Sequence, residues 1–242
     1  PSAENAYFCN MEIMINSLKV IAFDADDTLW DNETYFRAAE EKFVSLLENY
    51  LPPHSTLRAL LKTEIDNLGL YGYGIKAFML SMIETAIKET SYTLHATAVD
   101  EIIGIGKEML SKPVTLLPDV ELVLQELSKK YELVVATKGD LLDQERKLKK
   151  SGLMGYFHHI EIMTEKAEQD YQKLIHHLDI EARELMMVGN SLKSDVLPVL
   201  NIGGYGVHIP YHTTWAHEAI DITIENDRFF QKTSLTELLT ML

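Results

Sequence analysis

Two aspartates, Asp24 and Asp26, directly follow the apolar run Val20-Ile21-Ala22-Phe23. A short apolar run bounded by polar residues reads as a buried strand. In open α/β sheets ligands bind outside the carboxyl ends of the strands, which puts Asp24 where chemistry occurs. Asp26 projects from the same turn. Carboxylates at this spacing can divide the work of a displacement: one attacks, the other handles the leaving group's proton. A solvated acidic turn has the same composition, so the pair alone does not select a reaction.

The elements that must position such a pair follow from the rest of the chain. Short apolar, β-branched segments recur at 19–24, 132–137, 160–163, 185–189, 204–209 and 220–224. Their near-continuous hydrophobicity is that of strands covered on both faces of a parallel sheet. Between them lies helical spacing. Val120, Leu124 and Leu127 share one face behind Asp119, and Leu174, Ile175 and Leu178 share another. Strand and helix in alternation predict an α/β fold, a doubly wound parallel sheet with a Rossmann-like core.

Residues 32–112 break that rhythm. They show no strand pattern, and four apolar stripes step along them at helical intervals. The first is Phe36, Ala39, Phe43 and Leu47; the second is Leu57, Leu61, Ile65 and Leu68. The third runs from Ile75 through Phe78 and Met82 to Ala86, and the fourth from Val99 through Ile102 and Gly106 to Met109. Turn residues at Pro52-Pro53, Gly72 and Gly74, and Ser91 to Thr93 separate them. Ordinary α/β connections are far shorter. The expectation is an all-α cap domain at 32–112, inserted after the first strand, with residues 1–31 and 113–242 forming the catalytic core.

Composition narrows the function. The net charge of −15 argues against a nucleic-acid binder, which needs basic surface. A small phosphorylated substrate stays possible, because a local site can oppose the global field. No apolar run approaches the roughly 18 residues that span a bilayer. Cys9 is the sole cysteine, so no internal disulfide forms and a reducing, cytoplasmic setting is expected. Pro1 to Ser17 does not read as a signal peptide, and Met11 and Met14 are plausible starts.

The string Asp24-Ala25-Asp26-Asp27-Thr28-Leu29-Trp30 resembles the first motif of the haloacid dehalogenase superfamily, the aspartate-nucleophile phosphatases. Further matches follow in chain order. Thr137, with Lys138 and Gly139 after it, resembles the second motif. Lys166 stands where the family's lysine belongs. The run Gly189-Asn190-Ser191-Leu192-Lys193-Ser194-Asp195 resembles the acidic fourth motif. The helical insert lies where the family places its first-type cap.

This resemblance implies a magnesium-dependent phosphatase that cleaves a small phosphomonoester through a phospho-aspartate on Asp24. Asp26 protonates the leaving alkoxide and then deprotonates the attacking water. An aspartate at that position separates the phosphatases and phosphomutases from the metal-free dehalogenases. Thr137 hydrogen-bonds a phosphate oxygen. Lys166 pairs with the nucleophile and lowers its pKa, keeping it ionised. Main-chain N–H groups of the Asp26–Asp27 turn and near Gly139 take the remaining oxygens. Two anions about 4 Å apart repel by roughly 4 kcal/mol at an effective dielectric of 20, which Mg2+ offsets. Its ligands would be the Asp24 carboxylate, the Asp26 main-chain carbonyl and a fourth-motif side chain. The family commonly has Gly-Asp where this chain has Gly189-Asn190. Either Asn190 is the ligand and Asp195 supports it, or Asp195 carries the metal. The family lysine is commonly followed by proline, and here Ala167 follows.

Two other functions use similar residues. A phosphomutase shares the whole set but shields its phospho-enzyme from water. A receiver-like signalling module also combines acids, a threonine and a lysine, but it lacks a large helical insert. Within the cap, the loop Tyr71-Gly72-Tyr73-Gly74-Ile75-Lys76 can close over a substrate with two tyrosines and one charge, or be a plain helix–helix turn. Arg37 and Arg58 are weaker candidates of the same kind. The pairs His158-His159 and His176-His177 do not suggest a chelate, since strand neighbours point to opposite faces. Lys173 reads as a solvated helix lysine, His208 and His212 as surface residues, and Trp30 as a pocket wall or packing. Pro198 is expected to kink or end the helix that follows Asn190.

Overall fold

The computed structural model describes residues 17–242, so the expectations placed on Cys9, Met11 and Met14 lie outside the described residues. Six strands form one sheet in the order β3-β2-β1-β4-β5-β6, with every neighbouring pair parallel. They are β1 Val20–Phe23, β2 Glu132–Lys138, β3 His159–Met163, β4 Leu185–Gly189, β5 Tyr205–His208 and β6 Phe229–Gln231. The helices of the core are α5 Val120–Leu127, α6 Leu141–Ser151, α7 Glu168–His177, α8 Leu197–Asn201 and α9 Leu238–Met241.

Successive strand residues face opposite sides of a sheet. Ile21, Phe23, Val135 and Val188 therefore share one core with Val120, Leu124 and Leu127 of α5. Val20, Ala22, Val134 and Met187 share the other with Tyr171 and Leu174 of α7. Both faces being covered explains why β1 is apolar throughout and buried at each position. Each such side chain contributes about 1.5–3 kcal/mol by leaving water.

Between β1 and β2 stand four helices, α1 Glu33–Leu47, α2 Pro53–Tyr71, α3 Ile75–Glu89 and α4 Ala96–Ser111. They enclose a separate core of Phe43, Leu47, Leu60, Phe78, Met82 and Ile102. The protein is thus a doubly wound parallel sheet with an inserted all-α cap. Among the described residues no helix is long and apolar enough to cross a membrane.

Three expectations change. Segment 220–224 forms no strand, and Ile222 is exposed. Its alternating isoleucines have strand propensity, but the place beside β5 is taken by Phe229–Gln231. On α2 the stripe of Leu57 and Ile65 faces outward, and Thr56, Leu60 and Asn67 turn inward. The inward face is set by polar partners: Asn67 Nδ2 donates to Glu84 Oε2 at 2.9 Å and to Ser81 Oγ at 3.3 Å. Pro198 opens α8 instead of ending a helix, since a missing N–H costs nothing in a first turn. Before it, Leu192–Val196 forms a widened π-helical turn, with Val196 N–H donating to Ser191 O at 3.3 Å.

Candidate active site

The strand order reverses between β1 and β4, the switch point where doubly wound sheets bind ligands. Asp24 leaves β1 there, its amide donating to Val188 O at 2.9 Å. Thr137 lies near the end of β2, Lys166 follows β3, Asn190 follows β4, and Asp195 sits in the π-helical turn. These residues and Asp26 line one cavity of about 190 Å3, roofed by residues of α1, α2 and α3.

Lys166 is buried and makes two ion pairs, one with Asp24 and one with Asp195 Oδ1 at 2.6 Å. Burial disfavours its charge, but the Asp195 and Asp24 carboxylates outweigh that and hold its pKa above the ordinary lysine value. Asp195 is in turn fixed by the Ser191 N–H, which donates to its Oδ2 at 2.9 Å. That approach needs Gly189, because a Cβ there would run into the Asp195 carboxylate. Lys166 pulls the pKa of Asp24 down as expected, but it does not prevail. Burial raises it above the carboxylate range, and the lysine's opposing charge is shared with Asp195.

Asp26 is held from three sides. Trp30 Nε1 donates to its Oδ1 at 2.7 Å and Lys147 Nζ to the same oxygen at 2.6 Å. Gln144 Nε2 donates to its Oδ2 at 2.9 Å. Trp30 is fully buried, so it both packs and orients. Gln144 and Lys147 lie one turn apart on α6, and sequence reasoning missed both. Their only signal was a polar helix placed straight after the second motif. Gly139, at φ +143°, makes room for Gln144, whose Nε2 would lie 2.7 Å from a Cβ there. Gln144 Nε2 also reaches Thr137 Oγ1 at 3.3 Å.

The Asp27 amide is not free for a phosphate oxygen as expected, because it donates to Trp30 O at 2.7 Å to close the turn. The Asp27 carboxylate instead accepts from the amides of Asn32 and Glu33 at 2.9 and 3.0 Å, tying the first motif to the start of α1. Burial pushes its pKa up to about 8.

Of the cap-loop candidates, only Tyr73 lines the cavity. Its hydroxyl donates to Glu165 at 3.0 Å, and its ring carries Lys138 Nζ 4.4 Å from the centroid. Tyr71 is exposed, because α2 ends there and turns it outward. Lys76 bridges to Asp140 at 2.8 Å and so joins cap to core instead of facing a ligand. Arg37 pairs with Glu33 and Glu40, each at 2.8 Å. Lys173 pairs with Asp170 on its own helix, and His208 Nε2 lies 3.0 Å from Asn190 O. A third missed residue is Glu218, in the loop after β5. It accepts from Lys138 Nζ at 2.7 Å and from Ser191 and Ser194 hydroxyls at 2.6 Å each. Burial opposes its charge, but Lys138 and the hydroxyls bring its pKa down to about 2.

The donor set fits magnesium. Thr28 Oγ1 bonds both Asp24 Oδ2 at 3.1 Å and Asn190 Oδ1 at 3.3 Å, so these oxygens face one spot. Both Asp195 oxygens already have protein donors, which makes Asn190 the better ligand and Asp195 its support. Among the described residues no three His, Cys, Asp or Glu side chains are arranged to hold a metal, and a magnesium ion here would draw on amide and main-chain oxygens as well. Among the described residues the cavity lining has only oxygen and amine donors and no histidine or cysteine, a set that suits a hard cation. Its carboxylates outnumber lysines ten to three. Without a bound cation such a cavity repels phosphate.

A family model described as haloacid dehalogenase-like hydrolase matches residues 18–203. The N-acylneuraminate-9-phosphatase of Rattus norvegicus is 25% identical over 200 residues, covering 78% of this chain and 81% of that protein. The Homo sapiens protein of the same name is 24% identical over the same shares. A haloacid dehalogenase-like family hydrolase from Xanthomonas campestris is 36% identical, with a TM-score of 0.82, covering 93% of this chain and 92% of that one. The HAD-hydrolase YfnB from Bacillus subtilis, bound to magnesium, is 18% identical with a TM-score of 0.61, covering 93% and 98%, and shows the shared fold. The motifs at four strand ends, the capped sheet and the match to the family model together establish that the chain belongs to the haloacid dehalogenase-like hydrolases.

Proposed function

We propose that this hydrolase is a magnesium-dependent phosphatase acting on a small phosphomonoester through a phospho-aspartate on Asp24. The observation that carries the reading is the pairing of Asp24 with Lys166 at the sheet's switch point, with Asp26 facing the same cavity. Asp24 attacks phosphorus in line, and the departing alkoxide takes a proton from Asp26. Asp26 then removes a proton from the water that cleaves the acyl phosphate. Lys166 and the Thr137 hydroxyl bind phosphate oxygens and fix the direction of attack. Asp24, the Asp26 carbonyl and Asn190 would hold magnesium, which would supply positive charge against the phosphate. Residues 32–112 serve as the cap over a core of 1–31 and 113–242, and Tyr73 fastens cap to core through Glu165. The cavity is below the roughly 300 Å3 of drug-sized sites, which favours a small ester. The relatives' name, N-acylneuraminate-9-phosphatase, supports the reaction class. The lone cysteine fits the cytoplasm.

The test is phosphate release from p-nitrophenyl phosphate with magnesium, with a chelator, and in Asp24→Asn. Release by the wild type that chelator and substitution both abolish is expected. Equal release by Asp24→Asn would overturn the assignment of the nucleophile.

A further inference from the structure

We propose that the cap end of the cavity recognises a cationic, amine-bearing group on the organic part of the phosphomonoester. This rests on the phosphatase reading and adds the class of leaving group.

The two ends of the cavity differ in chemistry. At the sheet end lie the nucleophile and Lys166. At the cap end, α1 contributes Glu33 and Glu40, and α2 contributes Glu64 and Asn67. Both ends line one cavity, and Glu33 of its cap end lines it together with Asp26 of its sheet end. Arg37 neutralises part of Glu33 and Glu40, each at 2.8 Å. Glu64 makes no hydrogen bond or ion pair among the described residues. Burial pushes its pKa up to about 8, and the charges of Glu40 and Glu33 add to that. Desolvating a carboxylate without a partner is costly, and a ligand that pairs with it recovers the cost.

A second, independent observation points the same way. Gln144 lines the same cavity at 2% exposure, and its Oε1 has no hydrogen-bond partner. The unpartnered acceptor at the sheet end and the unpaired carboxyl at the cap end both suit a ligand that brings donors. Its walls between are apolar, formed by Phe36, Leu68 and Phe78, with the two phenyl rings 5.1 Å apart. An ammonium gains from carboxylates and from ring faces alike. A carboxylate at the same place meets three glutamates. N-acylneuraminate 9-phosphate, after which the curated relatives are named, carries such a carboxylate, so this chain's preference departs from that name.

The experiment compares ω-aminoalkyl, ω-hydroxyalkyl and ω-carboxyalkyl phosphates of matched chain length, with N-acylneuraminate 9-phosphate and p-nitrophenyl phosphate alongside. The expected kcat/KM of the best amine is at least about tenfold above its hydroxyl match, with the carboxylates last. In Glu64→Gln, checked for an unchanged melting temperature, the amine-to-hydroxyl ratio falls about tenfold. An amine-to-hydroxyl ratio near one, a preference for the carboxylates, or a ratio that survives Glu64→Gln overturns the inference while turnover of p-nitrophenyl phosphate leaves the phosphatase reading standing. Release from none of the esters overturns both.

Discussion

Replacing Lys147 with methionine tests whether the cage around Asp26 serves proton transfer. The lysine's Nζ lies 2.6 Å from Asp26 Oδ1, with the two side chains 15% and 24% exposed. A hydrogen bond to a charged group contributes roughly 1.5–3 kcal/mol, and partial exposure argues for the lower half of that range. Trp30 and Gln144 still hold the carboxylate, so its position loosens without being lost. If about 1.5–2 kcal/mol of that restraint acts in the transition state, the rate falls about 10- to 30-fold. That stays below the 10²–10⁴ that a general acid supplies in total. The loss should depend on the leaving group. An alkyl phosphate expels a strongly basic alkoxide that needs the proton, and p-nitrophenolate leaves without it. Because kcat/KM reports the steps up to phosphoryl transfer, the assay compares that constant for the two esters in wild type and Lys147→Met. A selective loss on the alkyl ester is expected. Equal losses on both esters, or none on the alkyl ester, would refute the assignment of Lys147 to positioning Asp26.

The other expectations concern the supports of the site. Asp195→Ala leaves Lys166 paired with Asp24 but strips an acceptor from Lys166 and from the Ser191 amide, and should lower unfolding stability by about 1–3 kcal/mol in urea titrations. Glu218 has a folded pKa of about 2, below its unfolded value, so its contribution is present above about pH 5 and is lost as the pH falls toward 2. The full contribution is on the order of 3 kcal/mol, and Glu218→Gln should flatten the acid limb of a stability-versus-pH curve. Tyr73→Phe keeps the ring under Lys138 but removes the bond to Glu165, so KM should rise a few-fold while the melting temperature holds. An unchanged KM would show that this bond does not secure the cap.

Much of the core was legible because parallel strands covered on both faces have little freedom in composition. The runs at 19–24 and 185–189 could not be soluble edge strands, and they lie at the centre of the sheet. The motif residues were legible because each follows such a run. What escaped was set by partners distant in sequence. Lys147 looks like any surface lysine until α6 brings it to Asp26, 121 positions away in the chain. Glu218 lies in a loop without pattern, and only Lys138 and the two serines give it a role. The inward face of α2 was misread for the opposite reason. Apolar spacing assumes that the hidden side of a helix is greasy, but here that side looks onto a cavity and carries Glu64 and Asn67. The strand expected at 220–224 had propensity, but Phe229–Gln231 took the place beside β5, and propensity without a pairing partner makes no strand.

Asn190 in place of the family's usual aspartate has an electrostatic reading that follows from its neighbours. Asp24, Lys166 and Asp195 together carry one negative charge in a buried cluster, and burial already works against ionising the nucleophile. Thr28 links Asp24 Oδ2 and Asn190 Oδ1 through bonds of 3.1 and 3.3 Å, so the two oxygens stand no farther apart than those bonds laid end to end. A carboxylate at that place would repel Asp24 by roughly 3 kcal/mol at about 6 Å and an effective dielectric of 20. An amide offers the same oxygen to a cation without that repulsion. The weaker pull on a metal is offset because Asp195, which in principle competes for it, is committed to Lys166 and the Ser191 amide. The departure from the family's pattern thus eases the ionisation of the nucleophile and gives up ligand charge. In a cavity whose acids outnumber its lysines ten to three, ligand charge is the property least in need of reinforcement.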